Sequence, residues 1–409
     1  MEFTENITVH ENGNHDWQRI SELEYLKFVD EDIPVTVFLS LLSIIGSIGN
    51  AHAFLVYYLR YKPSNHRTFV VSLAAIDLIA SAISIPFEIY DIRYSYTFTS
   101  SLACKSFRTM NHVVIVASGL LLGVIAVERF RKACQPLETQ LGPKGAICAC
   151  VFSVVGSAIF SIPAFILYDS TQEDLNITVS VFGNTTTFED KFSVLHVFDC
   201  QIATKYSKSI FNKGYNGMFL LLSTSVFILC IVMYSFVGKA LYKQTKFRMR
   251  AQSLKRRPSN SSLTSTTITK LDKSTGYIQE EESSSTGDRK RSILRKSSSA
   301  SLNAISPRNH RRMDRTRRIT LMFLVATAVS YIGFVPNLVI LLIKSLNRKQ
   351  YTKISNTLGG GTDILLRLYF LNNVTNPLVY CFLDEKFRTE LMMLYRKLAF
   401  WNKTHKRVY

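Results

Sequence analysis

Several polar side chains lie inside long apolar stretches of this sequence, where they are well placed to do chemistry. Asp77 is a carboxylate, and the other apolar stretches contain no lysine or arginine at a comparable depth. Such a charge needs a proton or a cation. The same set includes hydroxyl and amide groups, at Asn50, Ser118, Asn372 and Asn376. Hydroxyl and amide oxygens are hard ligands, so Asp77 and Ser118 with these amides predict a sodium site. The alternative is a hydrogen-bonded cluster that only joins helices.

Seven apolar blocks must position these side chains. Each block is long enough to cross the roughly 30 Å hydrocarbon core of a bilayer as a helix. Apolar residues occupy the whole circumference of these blocks, which is not typical of a soluble amphipathic helix. The sequence therefore predicts an all-α integral membrane protein with a seven-transmembrane helix bundle over residues 33–383. The predicted spans are 33–59, 68–90, 107–127, 146–167, 211–241, 319–343 and 364–383.

The net charge of +19 is distributed unevenly between the segments that flank these blocks. Residues 1–32 become acidic before the first span, whereas the loops after the first, third and fifth spans and the tail are basic. Because lysine and arginine in short loops stay in the cytoplasm, we expect a multi-pass plasma-membrane protein with an extracellular N-terminus. Residues 1–32 show no apolar stretch typical of a cleavable signal peptide. The basic loop lacks interleaved aromatic residues, which argues against nucleic acid as a partner.

Two cysteines and three glycosylation sequons fall on segments predicted to lie outside the cell. Cys104 begins the third span and Cys200 follows the fourth, so an oxidising exterior predicts a disulfide between them. The alternative is a pair of unpaired buried thiols. The sequons are at Asn6, Asn176 and Asn184, where glycans could be attached.

The longer loops and the tail predict three further elements. Residues 176–182 alternate apolar with polar side chains, which predicts a strand of an extracellular hairpin lying across the mouth of the bundle. Residues 244–315 are rich in serine, threonine, lysine and arginine, which predicts a disordered cytoplasmic loop. Residues 384–401 place apolar side chains at helical spacing between basic ones, which predicts an amphipathic helix on the inner leaflet. A cytoplasmic tail, 402–409, follows it.

Serines in the basic loop follow paired basic residues, a pattern that suits basophilic kinases. Phosphorylation would invert the local charge there. The candidate positions are Ser259, Ser292 and Ser298. The alternative is a solvated basic tether with incidental serines.

Four motifs, taken in chain order, resemble the fingerprints of rhodopsin-like (class A) G-protein-coupled receptors. They are Gly49 with Asn50, residues 73–77 (Leu-Ala-Ala-Ile-Asp), residues 128–130 (Glu-Arg-Phe) and residues 376–380 (Asn-Pro-Leu-Val-Tyr). Cys104 also precedes Arg129 by 25 residues, the separation found in the family. The resemblance covers residues 33–401 and implies a signalling receptor.

The resemblance implies roles for individual residues. Arg129, with Glu128 as its resting partner, would engage a heterotrimeric G protein, and Tyr234 and Tyr380 would move towards it on activation. The other members of the activation switch are Phe334, which stands where a tryptophan is typical, and Pro336, Asn376 and Pro377. Arrestin, receptor kinases and membrane lipids are further partners that the resemblance implies.

Two ligand classes of the family are excluded by single positions. Asn111 stands where amine receptors resemble one another in an aspartate, and Phe370 stands where opsins have their Schiff-base lysine. The disulfide-pinned outer loop and the acidic N-terminal segment resemble those of the peptide-receptor branch, which implies a neuropeptide or peptide hormone as ligand. Candidate pocket residues are Glu88, Asn111, Asn337 and Arg367, each of which could instead be a helix-packing polar group.

Other classes of function remain as alternatives. A receptor of the same fold could take a lipid or a small metabolite. A seven-helix transporter or channel would show an internal repeat or a pair of broken helices, and neither half of the sequence echoes the other. No glycine-rich phosphate loop, nucleophile elbow or His-Glu-X-X-His motif occurs, so we expect no enzymatic activity. An allosteric sodium ion is the one cofactor that the sequence suggests.

Overall fold

The computed structural model describes residues 13–182, 188–256 and 307–405. Its helices are α1 Gly13–Lys27, α2 Ile33–Arg60, α3 Asn65–Ile79, α4 Ile85–Arg93, α5 Ser101–Cys134, α6 Pro143–Leu167, α7 Thr204–Ser207, α8 Ile210–Arg256, α9 Pro307–Leu346, α10 Arg348–Leu358, α11 Gly360–Arg367, α12 Leu371–Leu383 and α13 Glu385–His405. The strands are β1 Tyr168–Phe182 and β2 Phe188–Ile202. The chain divides into two compact units, one of residues 1–237 with 319–409 and one of residues 238–318.

Six stretches of helix in the described part of the chain are long and apolar enough to cross a membrane. They are Asp16–Arg60, Asn65–Arg93, Ser101–Cys134, Pro143–Leu167, Ile210–Phe247 and Thr316–Lys344. Large apolar side chains face outward from them: Phe152 is 76% exposed and Leu221 is 69% exposed, whereas Asn50 and Asp77 are fully buried. Soluble proteins show the opposite arrangement. This pattern is the one that a hydrocarbon solvent requires.

The seventh predicted span, 364–383, is helical but is divided into α11, a 3₁₀ turn over Leu368–Phe370, and α12. The Leu366 carbonyl accepts a hydrogen bond from the Asn337 side chain, which competes with continuous α-helical pairing at this point. The sixth and seventh spans also approach closely here, since a Cβ on Gly333 of α9 would lie 2.6 Å from the carbonyl oxygen of Leu368 in the 3₁₀ turn. The division of this span therefore follows from contacts with α9.

Two π turns extend or bend the first two spans. One, Phe28–Asp32, joins α1 to α2, so helical structure reaches back to Gly13 within the predicted N-terminal segment 1–32. The other, Ala80–Ser84, joins α3 to α4 just before Pro86. Proline lacks a backbone N–H and clashes with the preceding turn. The second π turn accommodates that proline without ending the span.

The prediction of a disordered loop over residues 244–315 is wrong at both ends of that range. Helix α8 continues to Arg256 and α9 begins at Pro307. Residues 244–256 contain many good helix formers and no glycine or proline. Residues 257–306, which include Ser259, Ser292 and Ser298, lie outside the described residues.

An antiparallel hairpin follows the fourth span. Strands β1 and β2 pair in register from Tyr168 with Ile202 to Phe182 with Phe188, and the tip between them lies outside the described residues. A disulfide joins Cys200 on β2 to Cys104 on α5, which confirms the predicted bridge. Asn176 lies on β1, whereas Asn184 and Asn6 are not in the described part of the chain. We refer to this side of the bundle as the hairpin end.

Candidate functional site

Arg129 is buried at the opposite end of α5 from the disulfide, which we call the arginine end. Its Nε donates to Glu128 Oε2 at 2.6 Å. Lys132 and Asn65 also contact Glu128, at 2.5 and 3.2 Å. The guanidinium carbon lies 5.5 Å from the ring centroid of Phe323, within cation–π range. The Arg129 cation therefore pairs with Glu128, the resting partner that the sequence predicts, and has the aromatic ring of Phe323 as a neighbour.

The other residues of the predicted activation switch are spread over three helices. Tyr234 on α8 accepts a hydrogen bond from Thr327 on α9 at 3.4 Å. Tyr380 on α12 is fully buried, and its hydroxyl has no hydrogen-bond partner among the described residues. Neither hydroxyl pairs with Arg129, so any such contact requires movement. Pro336 lies inside α9 and Pro377 inside α12.

Helix α2 passes unusually close to α12 beside these residues. A Cβ on Gly49 would lie 2.9 Å from the ring of Pro377, so only glycine fits at this crossing. The neighbouring Asn50 side chain donates to the Asn373 carbonyl at 2.6 Å and to the Gly46 carbonyl at 2.9 Å. The Gly-Asn pair thus supplies both the close approach and a polar tie.

Asp77 lies in the buried polar core between the two ends. Asn376 Nδ2 donates to Asp77 Oδ2 at 2.7 Å, while Asp77 Oδ1 is buried and has no hydrogen-bond partner in the described part of the chain. Asn372 donates to Ser118 Oγ at 2.8 Å and accepts a hydrogen bond from Ser330. The described residues contain no group of three histidine, cysteine or carboxylate side chains that could hold a metal. The unpaired oxygen of Asp77 beside hydroxyl and amide groups fits a proton or a monovalent cation.

The hairpin end contains a second buried ionic network, centred on Glu88 of α4. Arg108 Nη1 donates to Glu88 Oε1 at 2.9 Å, Asn111 Nδ2 donates to the same oxygen at 2.6 Å, and Arg367 Nε lies 3.4 Å from Oε2. Three of the four predicted pocket residues therefore meet. The fourth, Asn337, instead binds the Leu366 carbonyl beside Arg367.

Sequence reasoning missed two members of this Glu88 network. Arg108 Nη2 lies 2.5 Å from Asp91 Oδ2, and it also donates to the Cys200 carbonyl at 3.3 Å. Each missed residue is three positions from a predicted one, Asp91 from Glu88 and Arg108 from Asn111. Residues at that spacing share a helix face, so this spacing could have identified both.

A cavity extends from this network towards the polar core. Asn111 of the Glu88 network lines it, as do Ser118 and Asn372, and Phe334 of α9 forms part of its wall. The same cavity therefore touches the Glu88 network, the polar core and the helix that contains Pro336. A bound molecule here would contact all three.

A third polar cluster lies at the arginine end, where α12 ends and α13 begins. Asp384 accepts hydrogen bonds from the hydroxyls of Tyr57 and Tyr61, each at 2.8 Å, and His66 Nε2 lies 3.8 Å away. Burial alone would raise the pKa of Asp384, but the nearby His66 imidazole and the hydrogen bonds from Tyr57 and Tyr61 outweigh it and hold that pKa well below its usual range. The carboxylate therefore stays ionised and joins α2, α3 and the last helix.

Comparison with known proteins gives matches over most of the chain. The family described as "7 transmembrane receptor (rhodopsin family)" matches residues 49–380. The cholecystokinin receptor of Xenopus laevis is 23% identical, over 78% of this chain and 67% of its own length. Neuromedin-U receptor 2 of Mus musculus is 26% identical, over 40% of this chain and 44% of its own length. The "Probable G-protein coupled receptor 19" of Mus musculus is 27% identical over 39% of each chain.

One solved structure shows the same fold over nearly the whole chain. The crystal structure of squid rhodopsin superimposes with a TM-score of 0.57 and covers 97% of this chain and 92% of its own. The sequence identity is 14%, so this likeness concerns the fold alone.

Proposed function

The chain belongs to the rhodopsin family of seven-transmembrane receptors, and we propose that an extracellular peptide activates it to signal through heterotrimeric G proteins. It is a multi-pass membrane receptor and not an enzyme. The proposal places the N-terminus and the hairpin end outside the cell and the arginine end in the cytoplasm. The basic loops that flank the arginine end support this orientation.

The Glu88 network is the observation that best supports a peptide ligand. It gathers two arginines, two carboxylates and an amide from α4, α5 and α11 under the hairpin. Burying so many charges has a large desolvation cost, and replacement of such groups by apolar residues is often neutral for stability. A peptide carries its own amides and charged ends, and these groups would pair with the donors and acceptors of the Glu88 network. The named relatives, receptors for cholecystokinin and neuromedin-U, point the same way.

Activation would transmit ligand binding through the cavity. A ligand that rearranges the Glu88 network would alter the walls formed by Phe334 and Asn372, and Pro336 would let α9 move outward. That movement would free Arg129 from Glu128 for the G protein. Such a change is a shift between two bundle arrangements, and the ligand supplies the differential affinity.

Several partners extend this proposal. A sodium ion held by Asp77 and Ser118, with Asn50, Asn372 and Asn376 nearby, would favour the resting arrangement. Basophilic kinases acting on Ser259, Ser292 or Ser298 would invert the local charge of the basic loop. Receptor kinases and arrestin would end signalling. Membrane lipids would hold α13, whose residues 385–405 follow the last span. Glycans on Asn6, Asn176 and Asn184 would lie on the extracellular side.

The test is a screen of a neuropeptide library against cells that express the receptor, with calcium and cAMP as readouts. We expect at least one peptide to activate it. Glu88→Gln should raise the EC50 of that peptide by roughly 10- to 100-fold, since a hydrogen bond to a charged group contributes about 1.5–3 kcal/mol. The exposed hairpin residue Glu173 provides a matched control, Glu173→Gln, which should leave the EC50 unchanged at equal surface expression.

Activation by a lipid or small metabolite, with no response to any peptide, would refute the proposed ligand class. The assignment to the receptor family would remain intact. Peptides do not cross membranes, so a response also requires the hairpin end to face outward.

A further inference from the structure

The N-terminal helix α1 is docked onto the hairpin end rather than extending freely from the first span. Its Ile20 is buried in a small apolar cluster with Leu195 and Val197 of β2. Lys27, in the last turn of α1, donates to Ser95 Oγ at 2.9 Å. The helix therefore contacts both the hairpin and the loop of residues 94–100, which we call the first outer loop.

Glu24 is the centre of this docking. Its side chain is only 4% exposed. Its Oε1 accepts hydrogen bonds from the backbone N–H of Tyr96 at 2.8 Å and from that of Thr97 at 3.1 Å, and the Thr97 hydroxyl donates to both carboxylate oxygens at 3.1 Å. Its nearest cation, Arg93, lies 3.9 Å away. Hydrogen bonds to a carboxylate are about twice as strong as neutral ones, so Glu24 holds the backbone of the first outer loop.

The first outer loop is itself paired with β2. Phe98 N–H donates to the Phe198 carbonyl at 3.0 Å, and Phe198 N–H donates to the Tyr96 carbonyl at 2.9 Å. Glu24 thus anchors Tyr96, which takes part in this pairing, and Thr97, which lies between the paired residues Tyr96 and Phe98. Fixing the loop through Glu24 also fixes the position of Phe198 in β2.

Two residues beyond Phe198, β2 reaches the Glu88 network. The Cys200 carbonyl accepts from Arg108, and Arg108 pairs with Glu88. The disulfide attaches Cys200 to α5. The pairing of Phe198 with the first outer loop is a further attachment, two residues away, that helps to set the position of the Cys200 carbonyl over Arg108. The Glu24 contacts hold that attachment from the side of α1.

We propose that Glu24 is a positioning residue for the ligand site, and that the N-terminal helix holds β2 over the Glu88 network through the first outer loop. The inference rests on the proposed function, because it concerns the same ligand site. Glu22 is the natural comparison: it is also an acidic residue of α1, but it is exposed. Residues two apart do not face the same way on a helix.

Amide hydrogen exchange on the purified full-length receptor in lipid nanodiscs tests the attachment without any ligand. In Glu24→Ala we expect the amides of residues 96–98 and 198–201 to exchange about 10-fold faster, as for loss of a hydrogen bond to a charged group. Glu24→Gln keeps an acceptor oxygen and should exchange at an intermediate rate. Glu22→Ala should match the wild type. Residues in α6 report whether each variant is folded.

Two exchange results would overturn the proposal. One is an unchanged rate at residues 96–98 in folded Glu24→Ala. The other is faster exchange at residues 96–98 with no change at 198–201, because the loop would then move without the strand. If Glu24→Ala does not fold, the comparison of Glu24→Gln with Glu22→Gln decides in the same way.

A kinetic measurement separates positioning from general stability. With an activating peptide from the library, we expect about 10-fold faster dissociation from Glu24→Ala and an unchanged rate from Glu22→Ala. Unchanged dissociation from Glu24→Ala would refute the positioning role. A library without any active peptide would count against the proposed function, and the exchange experiment would still decide whether Glu24 holds β2.

Discussion

The buried carboxylates Glu88 and Glu128 each have hydrogen-bond partners on more than one helix. Glu88 receives donors from α5 and α11, and Glu128 receives donors from α3 and α5. An unpaired buried charge is strongly destabilising, so removal of one partner affects more than one contact. Asp77 differs from Glu88 and Glu128, because among the described residues its side chain is bonded to the Asn376 amide and not to a cation, and its other oxygen has no hydrogen-bond partner. This difference makes Asp77 the position where an added cation should have the largest effect.

Sodium should therefore stabilise the purified receptor through Asp77. We expect sodium chloride to raise the Tm of the wild type by a few degrees relative to choline chloride at equal ionic strength, since a ligand that binds only the folded state stabilises it. Asp77→Asn should abolish this difference, whereas Glu173→Gln should retain it. An equal sodium effect in Asp77→Asn would place the ion elsewhere or make the effect non-specific.

The sequence alone identified functional residues that belong to motifs. It did not identify functional residues that only the fold brings together. Asn50 and Asp77 were found because polar residues are costly inside apolar stretches, whereas Arg129 and Tyr380 were found through the resemblance to the receptor family. Arg108 lies near the outer end of the third span, where a cation can reach the surface, so it carried no such signal. Its pairing with Glu88 and with the Cys200 carbonyl became visible only when α4, α5 and β2 were packed together.

At the scale of secondary-structure elements, the Asp384 carboxylate stabilises the junction of α12 and α13. Because the pKa of Asp384 is held below its usual range, its stabilising effect is present above the unfolded-state pKa of about 4 and is lost only as pH falls through the lower folded-state value. We expect Asp384→Asn to lower the Tm by a few degrees, and this difference should not shrink between pH 8 and pH 5. Thermal unfolding across that range measures it.

The matched control for this prediction is the exposed residue Glu138, whose change to glutamine should leave the Tm unchanged. A Tm difference for Asp384→Asn that shrinks steadily between pH 8 and pH 5 would contradict the depressed pKa. It would mean that the carboxylate already takes up a proton in that range.

The spans, the hairpin and the final amphipathic helix were predictable because their patterns of apolar residues are local. The divided seventh span was not, since it depends on a hydrogen bond from Asn337 to the Leu366 carbonyl. The N-terminal helix was not predicted either, because its burial depends on β2 and the first outer loop. A local signal did exist at the start of the basic loop, where residues 244–256 contain good helix formers and no glycine or proline.

At the scale of the whole molecule, the fold separates two charged networks by a bundle with an apolar exterior. The Glu88 network lies at the hairpin end and the Glu128–Arg129 pair lies at the arginine end. The cavity and the polar core around Asp77 lie between them. A receptor that signals across a membrane needs such an arrangement, since the ligand and the G protein never meet.

The most direct test of the account is nucleotide exchange on purified heterotrimeric G proteins by the receptor in lipid nanodiscs, with an activating peptide present. We predict that the wild type and Arg131→Ala, a control that changes a more exposed arginine on the same helix, both accelerate exchange. Arg129→Ala should bind the peptide with little change in affinity but fail to accelerate exchange. Full acceleration by Arg129→Ala would contradict the account.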